Sequence, residues 1–385
     1  MSKTWKEACA ALQQQCKADV PLPVREETST EEIPVPSSVI VVAPPSAETA
    51  YPLEDMLQLA RNLKEVIVHH VAKIALALST QPETPAPTEP LLVALREHVE
   101  KLQNIPSLVD PEVVGLFLVR RIRVVVTGMT DAIGTFAQSL PSTLTTTTTT
   151  TSANGMTLPQ LVGQVKSACD ALSSLPSIPK QGVIERVQAM LELVEDARSE
   201  LNDMLDNAND EQEGKEEEEE EEEDDFFGED VPTLSKELRT ALIQILPVIR
   251  LSGLILRKAT SKTLPLVQGK GRDGAWLDGW VDLAEGISQT VDEVAGVFWG
   301  EGEEDGDESE EEKEEDAGVK ELKVRMNTLL GHLEQPVLLL DKWDEPLAQE
   351  HRAWYDRCWK EARRMVEQDL GLEAPGSKSG VKRAA

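Results

Sequence analysis

Aromatic residues are scarce: phenylalanine, tryptophan and tyrosine together make up 4% of the 385 residues. Valine, isoleucine, leucine and alanine dominate the hydrophobic share of 40%, which suits helix packed on helix. Cysteine is nearly missing. Cys9, Cys16, Cys169 and Cys358 form no CxxC pair and are too sparse for a disulfide framework, which points to a reducing compartment. Long uncharged apolar runs are missing too. The first thirty residues hold no apolar core of the signal-peptide kind. The most membrane-like stretch, 113–133, is interrupted by Arg120, Arg121, Arg123 and Asp131. The expectation is a soluble, intracellular chain with no membrane contact.

Signatures of catalysis are equally thin. GKGRDG (269–274) is glycine-rich, but it lacks the Gly-Lys-Ser/Thr ending and the preceding strand of a phosphate loop. It reads as an interhelical loop. His69 and His70 are adjacent, so on a helix they point to different faces and do not share a metal as i, i+4 pairs do. His98, His332 and His351 have no Cys or acid nearby at ligand spacing. Asp305, Asp307 and Ser309 alternate like a calcium loop, but Glu310 occupies the position that demands glycine. No G-x-S-x-G elbow occurs. The sequence predicts no enzyme, no metal and no cofactor.

Acid is what the chain has in excess. The net charge is −32, and two runs carry most of it: 211–230 holds −13 and 301–316 holds −11. The remainder is only mildly acidic, so these runs read as solvated segments. A net-acidic chain is repelled by phosphates, which argues against direct nucleic-acid binding.

Between the runs, apolar residues recur three or four apart, the helical period. Leu53, Met56, Leu57, Ala60, Leu63, Ile67, Val71, Ile74 and Leu78 mark one helix face. Leu92, Leu95, Val99 and Leu102 mark a second. Asp110-Pro111-Glu112 is a helix start, followed inward by Val114, Leu118, Ile122, Val125, Met129, Ile133 and Phe136. Helices over 158–175 and 179–210 complete five; the last has an a/d-like seam suggestive of a coiled coil, broken at Arg198. Four more are predicted over 232–260, with a kink at Pro247, and over 275–299, 317–341 and 345–371. The predicted fold is all-α: two helix bundles, of about five and then four helices. The organisation reads as a mostly disordered extension (1–50) with a short helical stretch around Trp5–Cys16, a first bundle (51–210), an acidic linker (211–231), a second bundle (232–372) with an acidic insert (301–316), and a disordered tail (373–385).

A few residues stand out as candidate contacts. Phe226-Phe227 inside the acidic linker either pack on the next helix or form an acidic-aromatic docking motif. Trp343 and Trp359 are candidate interface anchors, with core packing the competing role, while Trp354 follows the apolar stripe into the core. Ser309, followed by three glutamates, is a candidate phosphorylation site, as is the Thr28–Thr30 cluster before Glu31. Arg61-Asn62-Leu63 matches a short R-x-L cyclin-docking pattern, but Leu63 falls on the buried face.

Three segments together resemble the cyclin-D-binding protein (GCIP) family and look like a fungal member. They are GLFLVRRIRVVVTGMTDAIGTFAQSL (115–140), GQVKSACDALSSLPSIPK with VEDARSEL (163–201), and LDGWVDLAEGISQTVDEVA (277–295). Lys166 stands where the family usually has Trp, and Gln289 where it usually has Pro. The resemblance implies an all-helical protein of nucleus and cytoplasm, without enzymatic activity, that binds cyclins or helix-loop-helix regulators and restrains cell-cycle entry. The reading is therefore a non-enzymatic interaction protein regulating cell-cycle progression through a cyclin or helix-loop-helix-type partner. A cytoskeletal or adhesion scaffold is the alternative, because fold alone does not fix function.

Overall fold

The computed structural model describes residues 3–21, 51–80, 86–143, 156–214, 234–266, 274–299, 311–341 and 346–370. Among them there is no strand, and the longer elements are all helices. The threonine run and the tail 373–385 lie outside the described residues, as do most of the acidic linker and part of the acidic insert.

The chain divides into two compact units, Met1–Gly182 with Gly271–Asp278, and Val183–Lys270 with Gly279–Ala385. The sequence reading drew its boundary at 210; by packing, the division falls one helix earlier. The first unit contains α1 (Lys3–Cys16), α2 (Leu53–Thr80), α3 (Glu89–Gln103), α4 (Leu116–Thr143) and α5 (Leu158–Asp170). The second takes α6 (Pro179–Gly214) from Val183 onward, α7 (Lys236–Lys258), most of α8 (Gly274–Trp299), α9 (Glu311–Asp341) and α10 (Pro346–Asp369). Helix α6 continues to Gly214 and α9 starts at Glu311, so both enter acidic runs that the sequence reading kept out of the helices.

The short helical stretch expected around Trp5–Cys16 forms α1, and it belongs to the core rather than to an extension: Trp5, Cys9, Leu12 and Cys16 are all buried, and α1 packs on α3 and α4. Their spacing of four, three and four makes one helical stripe. Trp5 Nε1 donates to Thr88 Oγ1 at 2.9 Å, which satisfies a buried indole N–H. Gln103 donates through Nε2 to the Gln15 carbonyl at 3.0 Å, so the far end of α1 is also tied to α3.

Helix α4 is the element on which α1, α3 and α5 pack. The sequence places one continuous helix from Asp110. In the structure Asp110 caps only a single turn, Pro111–Val114, accepting from Glu112 N at 2.9 Å. The chain then breaks at Gly115, whose φ of +89° favours glycine. A new helix begins at Leu116, and its N–H groups need acceptors. Asp278, near the start of α8, supplies both: its carboxylate accepts from Leu116 N at 2.8 Å and from Phe117 N at 2.9 Å. A Cβ on residue 115 would stand 2.7 Å from that carboxylate. From Leu118 the core face runs through Ile122, Val126, Met129, Ile133 and Phe136; Val126 takes the place that periodicity gave to Val125.

The second unit buries Val183, Val187, Leu191, Val194 and Leu201 of α6 against its other helices. Helix α7 runs through Pro247 without ending, and a π-helical turn follows it at Ala259–Thr263. There Thr263 Oγ1 lies 2.9 Å from His351 Nδ1 and 2.8 Å from Tyr355 Oη. Tyr355 is the fully buried aromatic of α10, whereas Trp354 is half-buried under the Lys258 ammonium, 4.4 Å from its ring centre. Leu347 is 41% exposed. His332 of α9 fills the space beside Gly286: any Cβ there would come within 2.4 Å of its ring.

Trp5→Ala should cost about 3–5 kcal/mol in denaturant unfolding, the range for a large buried aromatic; a loss under about 1 kcal/mol would place α1 outside the core. Asp278→Ala leaves two N–H groups uncapped and should cost about 2 kcal/mol. Asp278→Asn keeps an acceptor and should cost less in the same experiment.

Candidate interaction groove

Of the residues that the sequence singles out as contacts or modification sites, Phe226, Phe227, Ser309, Trp343 and the Thr28–Thr30 cluster lie outside the described residues. Trp359 is described: it is half-buried on α10, with the Arg363 guanidinium 5.6 Å from its ring centre, one turn along the same helix. Leu63 of the R-x-L pattern is 8% exposed and Arg61 pairs with Glu54 at 3.5 Å, so this stretch is core and helix surface.

The thiols are not poised for chemistry. Burial pushes Cys9, Cys16 and Cys169 up to about 12 and raises Cys358 as well. At neutral pH they are protonated and weakly nucleophilic. His70 and His98, on α2 and α3, meet edge-to-face with ring centres 5.4 Å apart, an encounter that sequence spacing did not announce. Desolvation is the leading cause that lowers the pKa of His98, His332 and His351; the positive partners His70 and Lys101 add to it at His98, and Lys258 at His351.

A groove of about 840 Å³ lies on the second unit. Its walls are α6, through Val194, Arg198, Asn202 and Leu205, and α7, through Ile243, Pro247, Arg250 and Leu254. Met365 of α10 contributes from a third helix. The helices pack closely where Gly253 lies against Leu191 and Val194. Arg257 of α7 forms an ion pair with Glu195 of α6, which links the two walls. Asn202 turns its amide back onto the Arg198 carbonyl at 2.7 Å. Arg198 Nε is buried without a hydrogen-bond partner. The groove mixes apolar side chains with arginines, a chemistry suited to recognition.

Residues 60–207 match the family model described as Grap2 and cyclin-D-interacting, N-terminal. The match agrees with the resemblance read from the sequence and ends within α6, so the family segment includes the helix that forms one groove wall. No curated protein sequence matches the chain. The family is one of protein interaction rather than catalysis. The residues that carry the family pattern are structural here. Val119 and Ile122 are core, Cys169 is core, Asp170 pairs with Lys64 at 2.8 Å, and Leu277, Trp280 and Val281 are buried. Lys166 and Gln289, which depart from the pattern, are exposed.

Three histidines whose pKa is lowered in the folded chain set an acid limit. Unfolded imidazoles titrate near about 6.5, while His98, His332 and His351 titrate lower when folded. Below the unfolded value the unfolded chain binds protons that the folded chain refuses, so stability is full above it and falls as the pH drops toward the folded values. Denaturant midpoints should therefore fall between about pH 7 and about pH 5. His351→Gln should flatten that dependence; an unchanged slope would remove this histidine from the account.

Proposed function

We propose that the protein is a non-enzymatic helical adaptor that regulates cell-cycle progression by holding a cyclin or a helix-loop-helix-type regulator. The observation that carries the reading is the match of 60–207 to a family described as cyclin-D-interacting. The unreactive thiols and the recognition character of the groove support it. A partner helix laid into a groove between helices is a recurrent mode of such binding. Bound to a helix-loop-helix factor, a chain without a basic region would make a complex unable to grip DNA. The acidic runs would raise association rates with basic partners. The protein would work in nucleus and cytoplasm, with no direct nucleic-acid or membrane contact.

Affinity purification of the full chain from its native cells, read by mass spectrometry, tests this reading. Enrichment of a cyclin, a cyclin-dependent kinase or a helix-loop-helix factor is expected. Enrichment of actin-binding or membrane-skeleton proteins with no cell-cycle component would replace the adaptor with a scaffold. Deleting 211–230 should weaken capture if the acidic linker takes part in the contact.

A further inference from the structure

Helix α7 carries more apolar surface than the described residues of its own unit cover. Residues 236–266 contain an eighteen-residue window of mean hydropathy 1.5, long and apolar enough by composition to cross a membrane, yet only 44% of it is buried. A helix that is apolar all round is ordinarily enclosed all round. One side of α7 is enclosed: Leu242, Ile245, Val248 and Ile249 are fully buried. The other side lines the groove, where Ile243 is 53% and Leu254 38% exposed.

The charge along this strip runs against the rest of the molecule. The chain carries −32, yet the groove contains Arg198, Arg250 and Arg257. Glu195 neutralises Arg257, while Arg198 and Arg250 make no ion pair among the described residues. A ligand that fits must cover the apolar strip and bring carboxylates to two guanidinium groups. Arginine favours carboxylate in a bidentate geometry, and the attraction gains strength as the apolar surface excludes water. A basic or purely apolar ligand would leave the arginines uncompensated.

We infer that the α6–α7 groove docks an amphipathic helix of a partner protein, one whose apolar stripe is flanked by Asp or Glu. The inference rests on the adaptor reading and gives it a surface and a ligand chemistry. Ile243, Pro247, Arg250 and Leu254 fall four, three and four apart. From Ile243 to Arg257 the helix rises about 21 Å, which matches about fourteen partner residues.

The test uses the full chain and a labelled helical peptide of about fourteen residues, with leucines at three- and four-residue spacing and glutamates flanking them. A control peptide has lysine in place of every glutamate. Fluorescence anisotropy should show the glutamate peptide binding at least about tenfold tighter than the lysine peptide. Raising salt from about 0.05 to about 0.5 M should narrow that gap. Arg250→Glu should abolish or reverse the preference, and Ile243→Asp should weaken both peptides at least about tenfold. Both side chains are exposed, so the melting temperature of each variant should stay near that of the parent. Equal binding of the two peptides, or indifference to both variants, would overturn the inference. Uptake onto phosphatidylcholine–phosphatidylserine vesicles that Ile243→Asp removes, without peptide binding, would replace the partner helix with a lipid surface. Self-association that Ile243→Asp removes would replace it with a second copy of the chain. If Ile243→Asp loses the peptide but still captures a cyclin, the adaptor reading stands and its surface lies elsewhere. If the peptide binds as expected but no cell-cycle protein is captured, the groove stands and the adaptor reading falls.

Discussion

The carboxylate of Asp278 closes the start of α4, and the core of the first unit is arranged around that start. A helix that begins on a chain break has open N–H groups at its first residues, and here the break is enforced by the backbone of Gly115. Two of those groups, on Leu116 and Phe117, are met by one carboxylate that comes from 161 and 162 residues away in the chain. Anions are favoured at this end of a helix by the peptide dipoles as well as by the hydrogen bonds. With the first turn fixed, the inward stripe from Leu118 to Leu140 is fixed in rotation, and α1, α3 and α5 pack against it.

Most of the helical layout was legible because the apolar period is strong in the long elements. The nine inward residues expected of α2 are the nine that are buried. Where legibility failed, a tertiary partner was the deciding factor. Nothing local marks Gly115 as a break, since the group that stabilises it sits on Asp278. Helix α1 was set apart because a proline-rich acidic stretch follows it, although its own four-three-four stripe carried the signal. In α10 the sequence put Trp354 inside by size and period. The π-helical turn at the end of α7 presents Thr263 instead to Tyr355, and the tyrosine takes the interior place with its hydroxyl satisfied.

The groove was not legible for a different reason. Periodicity assigns each helix one buried face and counts the remainder as surface. Helix α7 has a second apolar edge, and only the packing shows that α6 stands beside it with an arginine whose Nε finds no partner. The candidate anchors chosen from sequence were conspicuous residues, phenylalanines among acids and tryptophans near the end of the chain. The surface that emerges is built from ordinary ones, isoleucine, leucine, proline and arginine, made distinctive by shared geometry. The family pattern behaves in the opposite way. Its residues are conspicuous in sequence and structural in place, so it identifies a fold without marking a contact surface.

The meeting of Gly286 with His332 has a bearing on how this chain can vary. The imidazole occupies the space where any side chain at 286 would begin. A methyl at 286 requires a smaller or displaced group at 332. The two sites form a lock in size, glycine against ring. Homologous chains that have relaxed one half are expected to have exchanged the other, leaving a paired substitution as the trace of this contact.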